Sequence, residues 1–151
     1  MLRYLDQDTQ QTLKEGLTEY FASIPGLLTE ANASKEVAAL MLKHDVGHVV
    51  FGCDTTLNGE PLADTWQMFG TDVPFREYLR YTQLPETRAV FLEVGFGSVI
   101  AATVRAVPRL ITVLWRVFRM SKKWPFHEHD QYMNIPLAQI RAEFGIRLVR
   151  H

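Results

Sequence analysis

The residues able to do chemistry gather in one short stretch, 43–60, which reads KHDVGHVVFGCDTTLNGE. His44 and His48 are four apart. On a helix they share a face one turn apart, the spacing at which two imidazoles reach one metal ion. Glu60 follows a segment containing Asp54, Asn58 and Gly59, residue types that favour turns and can return its carboxylate to the pair. Two imidazoles and a carboxylate suit a divalent transition metal, such as zinc, iron, cobalt or manganese, better than magnesium or calcium. Asp45 lies about 100° round the helix from His44, where it is a further ligand, a carboxylate orienting the ligands, or a general base. The competing reading is a core helix whose histidines bond backbone carbonyls. An aspartate in an otherwise apolar helical stretch weighs towards chemistry, because a half-buried carboxylate needs partners.

Other reactive residues carry weaker signals. Cys53 stands five residues after His48 and reads mainly as a buried cysteine. His127 and His129 flank Glu128 in a polar loop, where metal binding is a minor option. Gly95 and Gly97 lack the later Gly-Lys of a phosphate-binding loop and read as packing or kink positions.

The elements that must position these residues are helical almost throughout, with no run of strict apolar and polar alternation. Asp6 or Asp8 is expected to cap a first helix carrying Leu13, Leu17, Tyr20, Phe21 and Ile24, ended by Pro25-Gly26. Ser34 is expected to cap the helix of the histidines and Gly52 to end it. Pro61 suits the first turn of a helix running to Phe69, and 72–74 starts another to about Tyr81. A longer helix is expected from Pro85. Asn134 is expected to cap the last one, and Gly145 closes it. The reading is an all-α fold of about seven helices, with residues 1–151 as one domain.

Residues 94–127 stand apart, because they hold no Asp or Glu. Arg105, Arg109, Thr112, Arg116, Arg119 and Lys123 recur at spacings of four and three, a stripe within about 80° of arc. Val104, Leu110, Ile111, Leu114, Trp115 and Phe118 cover much of the remaining surface, with Trp124 as further aromatic bulk, and Pro108 is expected to bend or restart the helix. The arginines and Lys123 suit an anionic membrane surface and the apolar residues a lipid tail. A core helix with one solvated stripe is the alternative.

Bulk properties set the outer limits. The chain of 151 residues is 47% hydrophobic and 22% charged, with a net charge of −1, as a folded domain is. Charge is segregated: residues 1–60 carry nine acids against four bases. The basic stripe is narrow and the whole chain is not basic, which argues against nucleic acid. A single cysteine excludes an intrachain disulfide and fits a reducing compartment. No apolar run of roughly 18 uncharged residues is present, and the N-terminus lacks the pattern of a signal peptide. The expected location is cytoplasmic, peripherally attached to the inner face of the membrane.

Two family resemblances follow from these motifs. HDVGHVVFG resembles the HD-domain phosphohydrolases, but no histidine precedes His44 to supply their upstream ligand, although Asp72 stands where a downstream aspartate is wanted. The pattern His44-Asp45-x-x-His48, eleven residues, Glu60 resembles the Coq4 family of ubiquinone-biosynthesis proteins, as does IPLAQIRAEFGI at 135–146. This second resemblance implies a helical fold and a divalent metal on His44, Asp45, His48 and Glu60, with Asp45 handling protons. It implies a polyprenyl lipid or quinone precursor as ligand, with other ubiquinone-biosynthesis enzymes as partners. The implied activity is oxidative decarboxylation at ring C1, or else organisation of those enzymes. A homodimer is a further option, and a non-catalytic lipid-binding scaffold with a structural metal is the third reading.

Overall fold

The structure, a computed structural model, describes residues 2–24, 34–81 and 95–149. Among them lie six α-helices, two 3-10 turns and no strand, so the fold is all-α. The helices are α1 (Leu13–Ser23), α2 (Lys35–Phe51), α3 (Glu60–Gly70), α4 (Phe75–Tyr81), α5 (Phe96–Val117) and α6 (Leu137–Phe144). The 3-10 turns are Arg3–Leu5 and His129–Tyr132. The helix expected from Pro85 falls outside the described residues, as does Pro25-Gly26.

α1 starts at a different cap from the expected one. Thr12 forms a capping box with Glu15: its hydroxyl accepts the Glu15 N–H at 3.2 Å, and the Glu15 carboxylate accepts the Thr12 N–H at 2.8 Å. Asp6 instead closes the preceding 3-10 turn, its N–H donating to the Arg3 carbonyl at 3.0 Å, and its carboxylate accepts the Asp8 N–H. At α2, Ser34 accepts the Val37 N–H at 3.3 Å, and Gly52 ends the helix at φ 62°, a left-handed conformation that favours glycine. Asn134 does not cap α6. The first free N–H groups there, on Leu137 and Ala138, donate to the carbonyls of Gln11 and Thr9, which lie just before α1.

α2 is the central element. Every residue from Asp45 to Phe51 is buried, so no single apolar stripe describes its second half. Around it pack Leu13, Leu17 and Tyr20 of α1, Leu62 and Trp66 of α3, and Ile140 and Phe144 of α6. Trp66 stacks on Phe51 with 4.9 Å between ring centroids.

Arg141 of α6 locks the end of this helix. It is fully buried, and its guanidinium donates to the carbonyls of Val49 (2.8 Å), Val50 (3.0 Å), Tyr4 (2.7 Å) and Asp6 (2.6 Å). Two of these are carbonyls that α2 cannot satisfy within itself. Burial pushes the guanidinium down to about 10, against the pull of nearby Asp6, so it stays charged at neutral pH.

α5 runs unbroken through Pro108 and packs along α3, burying Ala102, Ala106 and Val113. It ends at Val117, so Lys123 lies beyond it, and Trp124 is a core residue rather than part of that helix.

Candidate metal centre

α2 supplies His44 and His48, and the first residue of α3 supplies Glu60. The turn between them folds locally. The Asp54 carboxylate accepts both the N–H (3.0 Å) and the hydroxyl (2.6 Å) of Thr56, and the Glu60 N–H donates to the Thr56 carbonyl at 3.0 Å. Gly59 touches this turn so closely that a Cβ would run into the Asp54 carbonyl.

His48 is wholly buried, with Nδ1 3.2 Å from the Cys53 carbonyl. A carbonyl only accepts, so Nδ1 carries a proton and Nε2 is the nitrogen turned towards the carboxylate. That Nε2 has no hydrogen-bond partner and faces Glu60 Oε2 at 3.5 Å. The rings of His44 and His48 are 4.7 Å apart. One ligand atom from each of His44, His48 and Glu60 fits within 4.8 Å of the others, and this is the sole group of three or more such residues among the described ones. An orphaned, buried imidazole nitrogen beside a second imidazole and a carboxylate is a donor set that fits a metal ion.

His44 stands between two aspartates. Nδ1 lies 3.8 Å from Asp45 Oδ1 and Nε2 lies 3.7 Å from Asp64 Oδ1. Each aspartate is anchored by a tyrosine: the Tyr20 hydroxyl donates to Asp45 Oδ1 at 2.9 Å, and the Tyr78 hydroxyl to Asp64 Oδ1 at 2.6 Å. Burial works against a charged His44, but Asp45, Asp64 and Glu60 outweigh it and hold the imidazole up to about 10. Burial likewise works against ionised Asp64, yet His44 and the Tyr78 bond keep it below the usual carboxylate range. Both phenols are pushed well up, by burial and then by their aspartates, and so remain donors. The Cys53 thiol is also pushed up, by burial and by Glu60, so it is a neutral core residue.

The geometry thus gathers His44, His48 and Glu60 and sets Asp45 to one side, behind the Nδ1 of His44. Asp64 escaped the sequence reading, although its position four residues after Glu60, on the same face of α3, is a readable signal. Asp72 is spent elsewhere, accepting the Phe126 N–H at 2.9 Å. His127 and His129 part company: His127 is exposed and lies 3.1 Å from Glu77, while His129 is buried.

On α5 the apolar residues divide. Val104, Ile111, Trp115 and Phe118 are exposed, Phe118 by 88%, and Ile100 and Val107 join them within about 80° of arc. Leu110 turns to the core and Leu114 is half-buried, so neither belongs to an outer wall. Arg105 and Arg119 are exposed beside this stripe, and Arg109 and Arg116 are half-buried. Arg119 lies over the Trp115 ring at 4.1 Å, and Arg116 donates to the Arg147 carbonyl at 2.7 Å. No helix among the described residues is long and apolar enough to cross a membrane. A second apolar surface is an open groove of about 410 Å³ lined by Leu17 and Phe21 of α1, Leu42 of α2 and Met133.

Comparison with protein-family models, with curated proteins and with solved structures finds no match to this chain. The fold and the site define it as an all-α protein with a His-His-Glu group able to hold a metal ion.

Proposed function

We propose that this chain is a metal-dependent protein of the ubiquinone-biosynthesis type, acting on a polyprenylated hydroxybenzoate by oxidative decarboxylation at ring C1. The observation that carries the reading is the return of Glu60 to His48 across the eleven-residue gap, 3.5 Å from a buried Nε2 with no other partner. That spacing is what the chain shares with the Coq4 family.

A divalent transition metal at this centre would supply a Lewis acid for the carboxylate and phenolate of such a ring. The protein's own part is to hold the ligands. The Cys53 carbonyl fixes the tautomer of His48, and Asp45 fixes the plane of His44. The prenyl chain is accommodated by apolar surface, either the outer stripe of α5 or the α1–α2 groove. The arginines beside the stripe favour attachment to the anionic inner face of a membrane.

The same exposed stripe favours a second reading, a scaffold that docks lipid or other enzymes and holds its metal structurally. The two separate on one experiment. Protein loaded with zinc, iron, cobalt or manganese is incubated under air with polyprenyl hydroxybenzoate in anionic vesicles, and carboxylate loss is followed by mass spectrometry. Metal-dependent loss that disappears in Glu60→Ala supports the enzyme. A loaded protein that binds the lipid and leaves the carboxylate intact supports the scaffold. Phosphate release from nucleotides would move the assignment to a phosphohydrolase.

A further inference from the structure

We infer that Asp64 is the fourth ligand of the metal centre and that Asp45 is a positioning residue behind His44. The inference rests on the metal reading above and adds to it a residue that the HDxxH…E pattern does not contain.

The first argument is register. Glu60 and Asp64 are four apart on α3 and face His44 and His48, four apart on α2. Each histidine is thereby matched with one carboxylate: His48 Nε2 with Glu60 Oε2 at 3.5 Å, and His44 Nε2 with Asp64 Oδ1 at 3.7 Å. Ligand atoms bound at about 2.0–2.2 Å around a tetrahedral ion stand roughly 3.4 Å apart. Both separations are close to that, although neither is a good hydrogen bond. Both pairs also lie within ion-pair range in the metal-free protein, where Asp64 stands outside the 4.8 Å group of His44, His48 and Glu60, so ligation requires the Asp64 side chain to close on the bound ion.

The second argument is charge. Two neutral imidazoles and two carboxylates balance a divalent cation. Glu60 and Asp64 are both partly open to solvent, with 40% and 44% of their side chains exposed, as a site that admits an ion and a substrate requires. Asp45 is 5% exposed, faces the other nitrogen of His44, and already receives the Tyr20 hydroxyl. A carboxylate placed behind the second nitrogen of a ligating histidine orients the ring and raises its basicity. The third argument is support. Tyr78, a buried residue of α4, donates to Asp64 at 2.6 Å and fixes its direction, as ligating carboxylates generally need.

The test titrates the full chain with zinc by calorimetry and with cobalt(II) by visible absorption, for the native sequence, Asp64→Asn, Asp64→Glu and Asp45→Asn. Asp64→Asn is expected to lower zinc affinity by roughly 100-fold, the upper end of what even an indirect partner is worth, and to change the intensity of the cobalt band. Asp64→Glu, which keeps a carboxylate, recovers part of that loss. Asp45→Asn weakens zinc by roughly tenfold and leaves the cobalt band shape unchanged. Native zinc affinity and an unchanged cobalt band in Asp64→Asn would overturn the inference while leaving the metal reading intact. A native chain that takes up neither ion would overturn both.

Discussion

The second half of α2 and the outer face of α5 depart from the usual partition of residues in opposite directions. α2 buries Asp45 and the whole of His48 inside the core. α5 leaves Ile100, Val104, Val107, Ile111, Trp115 and Phe118 in the open along one side. Each departure costs folding energy. A buried polar atom without a partner costs about 1–3 kcal/mol, and an apolar side chain left exposed forgoes roughly 1.5–3 kcal/mol of burial. Asp45 is compensated by the Tyr20 hydroxyl, but the Nε2 of His48 has no hydrogen-bond partner and the stripe on α5 is left exposed among the described residues. The orphaned nitrogen of His48 calls for a small cation and the stripe for a broad apolar surface. α2 is anchored at its C-terminal end by Arg141, whereas α5 is packed on one side only among the described residues.

The largest expected effect tests that anchoring. In Arg141→Met the carbonyls of Val49, Val50, Tyr4 and Asp6 lose their donor together. Removing one partner of a buried polar network costs about 3–5 kcal/mol, which lowers the melting temperature by roughly 10 °C in a chain of this size. Phe118→Ser at the open end of α5 is expected to change stability by less than about 0.5 kcal/mol. Thermal melts followed by circular dichroism compare the two. An Arg141→Met protein that melts with the native one would mean that α2 is not held from its C-terminal end.

How far the sequence reveals these two regions differs for the same reason. α2 is bounded by residues with local jobs, Ser34 at one end and Gly52 at the other, and the return of Glu60 is signalled by Asp54 and Gly59. What anchors α2 is not local: Arg141 lies about ninety residues away and reads in sequence as one more polar position on a short helix. Asp64 was legible in principle from its spacing to Glu60, but choosing it required knowing which face of α3 turns to α2. The cap of α1 is written plainly in Thr12-x-x-Glu15, yet Asp6 and Asp8, further from Leu13, are the stronger capping types. α5 is the harder case. It is apolar on both its buried and its open side, so periodicity cannot separate Leu110, which packs inward, from its neighbour Ile111, which does not. Only the partner helix α3 decides which side is which.

A second prediction sharpens the contrast through pH. In the absence of metal, His44 keeps a proton up to about 10, well above the ordinary histidine value near 6.5. Its contribution to folding is fully present below about 6.5, and it is lost as pH rises towards 10. The metal-free protein therefore becomes less stable across that range. Metal must displace the same proton, so zinc affinity climbs with pH over the same window, by up to about tenfold per unit. Calorimetric titrations at pH 6.5, 7.5 and 8.5, paired with melts of metal-free protein, should show the two trends running in opposite directions. α5 bears only arginines as titratable groups, so its attachment to vesicles should stay flat over the same pH steps. A flat zinc affinity would mean that His44 is already neutral and that its carboxylate neighbours do not set its charge.

The smallest effects belong to α5, and they decide whether its open face is meant for lipid. The double variant Ile111→Asn, Phe118→Ser removes two of the most exposed apolar groups. It is expected to lose about tenfold in affinity for vesicles containing anionic lipid, a conservative share of the roughly 1.5–3 kcal/mol that each buried side chain can contribute. Zinc binding and the melting temperature should not move. Arg105→Gln should cost less, roughly fivefold, since one basic residue near an anionic surface contributes about 1 kcal/mol. That loss should shrink as salt rises to about 1 M, where the screening length falls to roughly 3 Å. The two variants read different things, one the apolar contact and the other the attraction that precedes it. If the loss of the charge weakens binding and the apolar double variant does not, the protein is held above the headgroups by charge alone, and the open stripe is left for a protein partner.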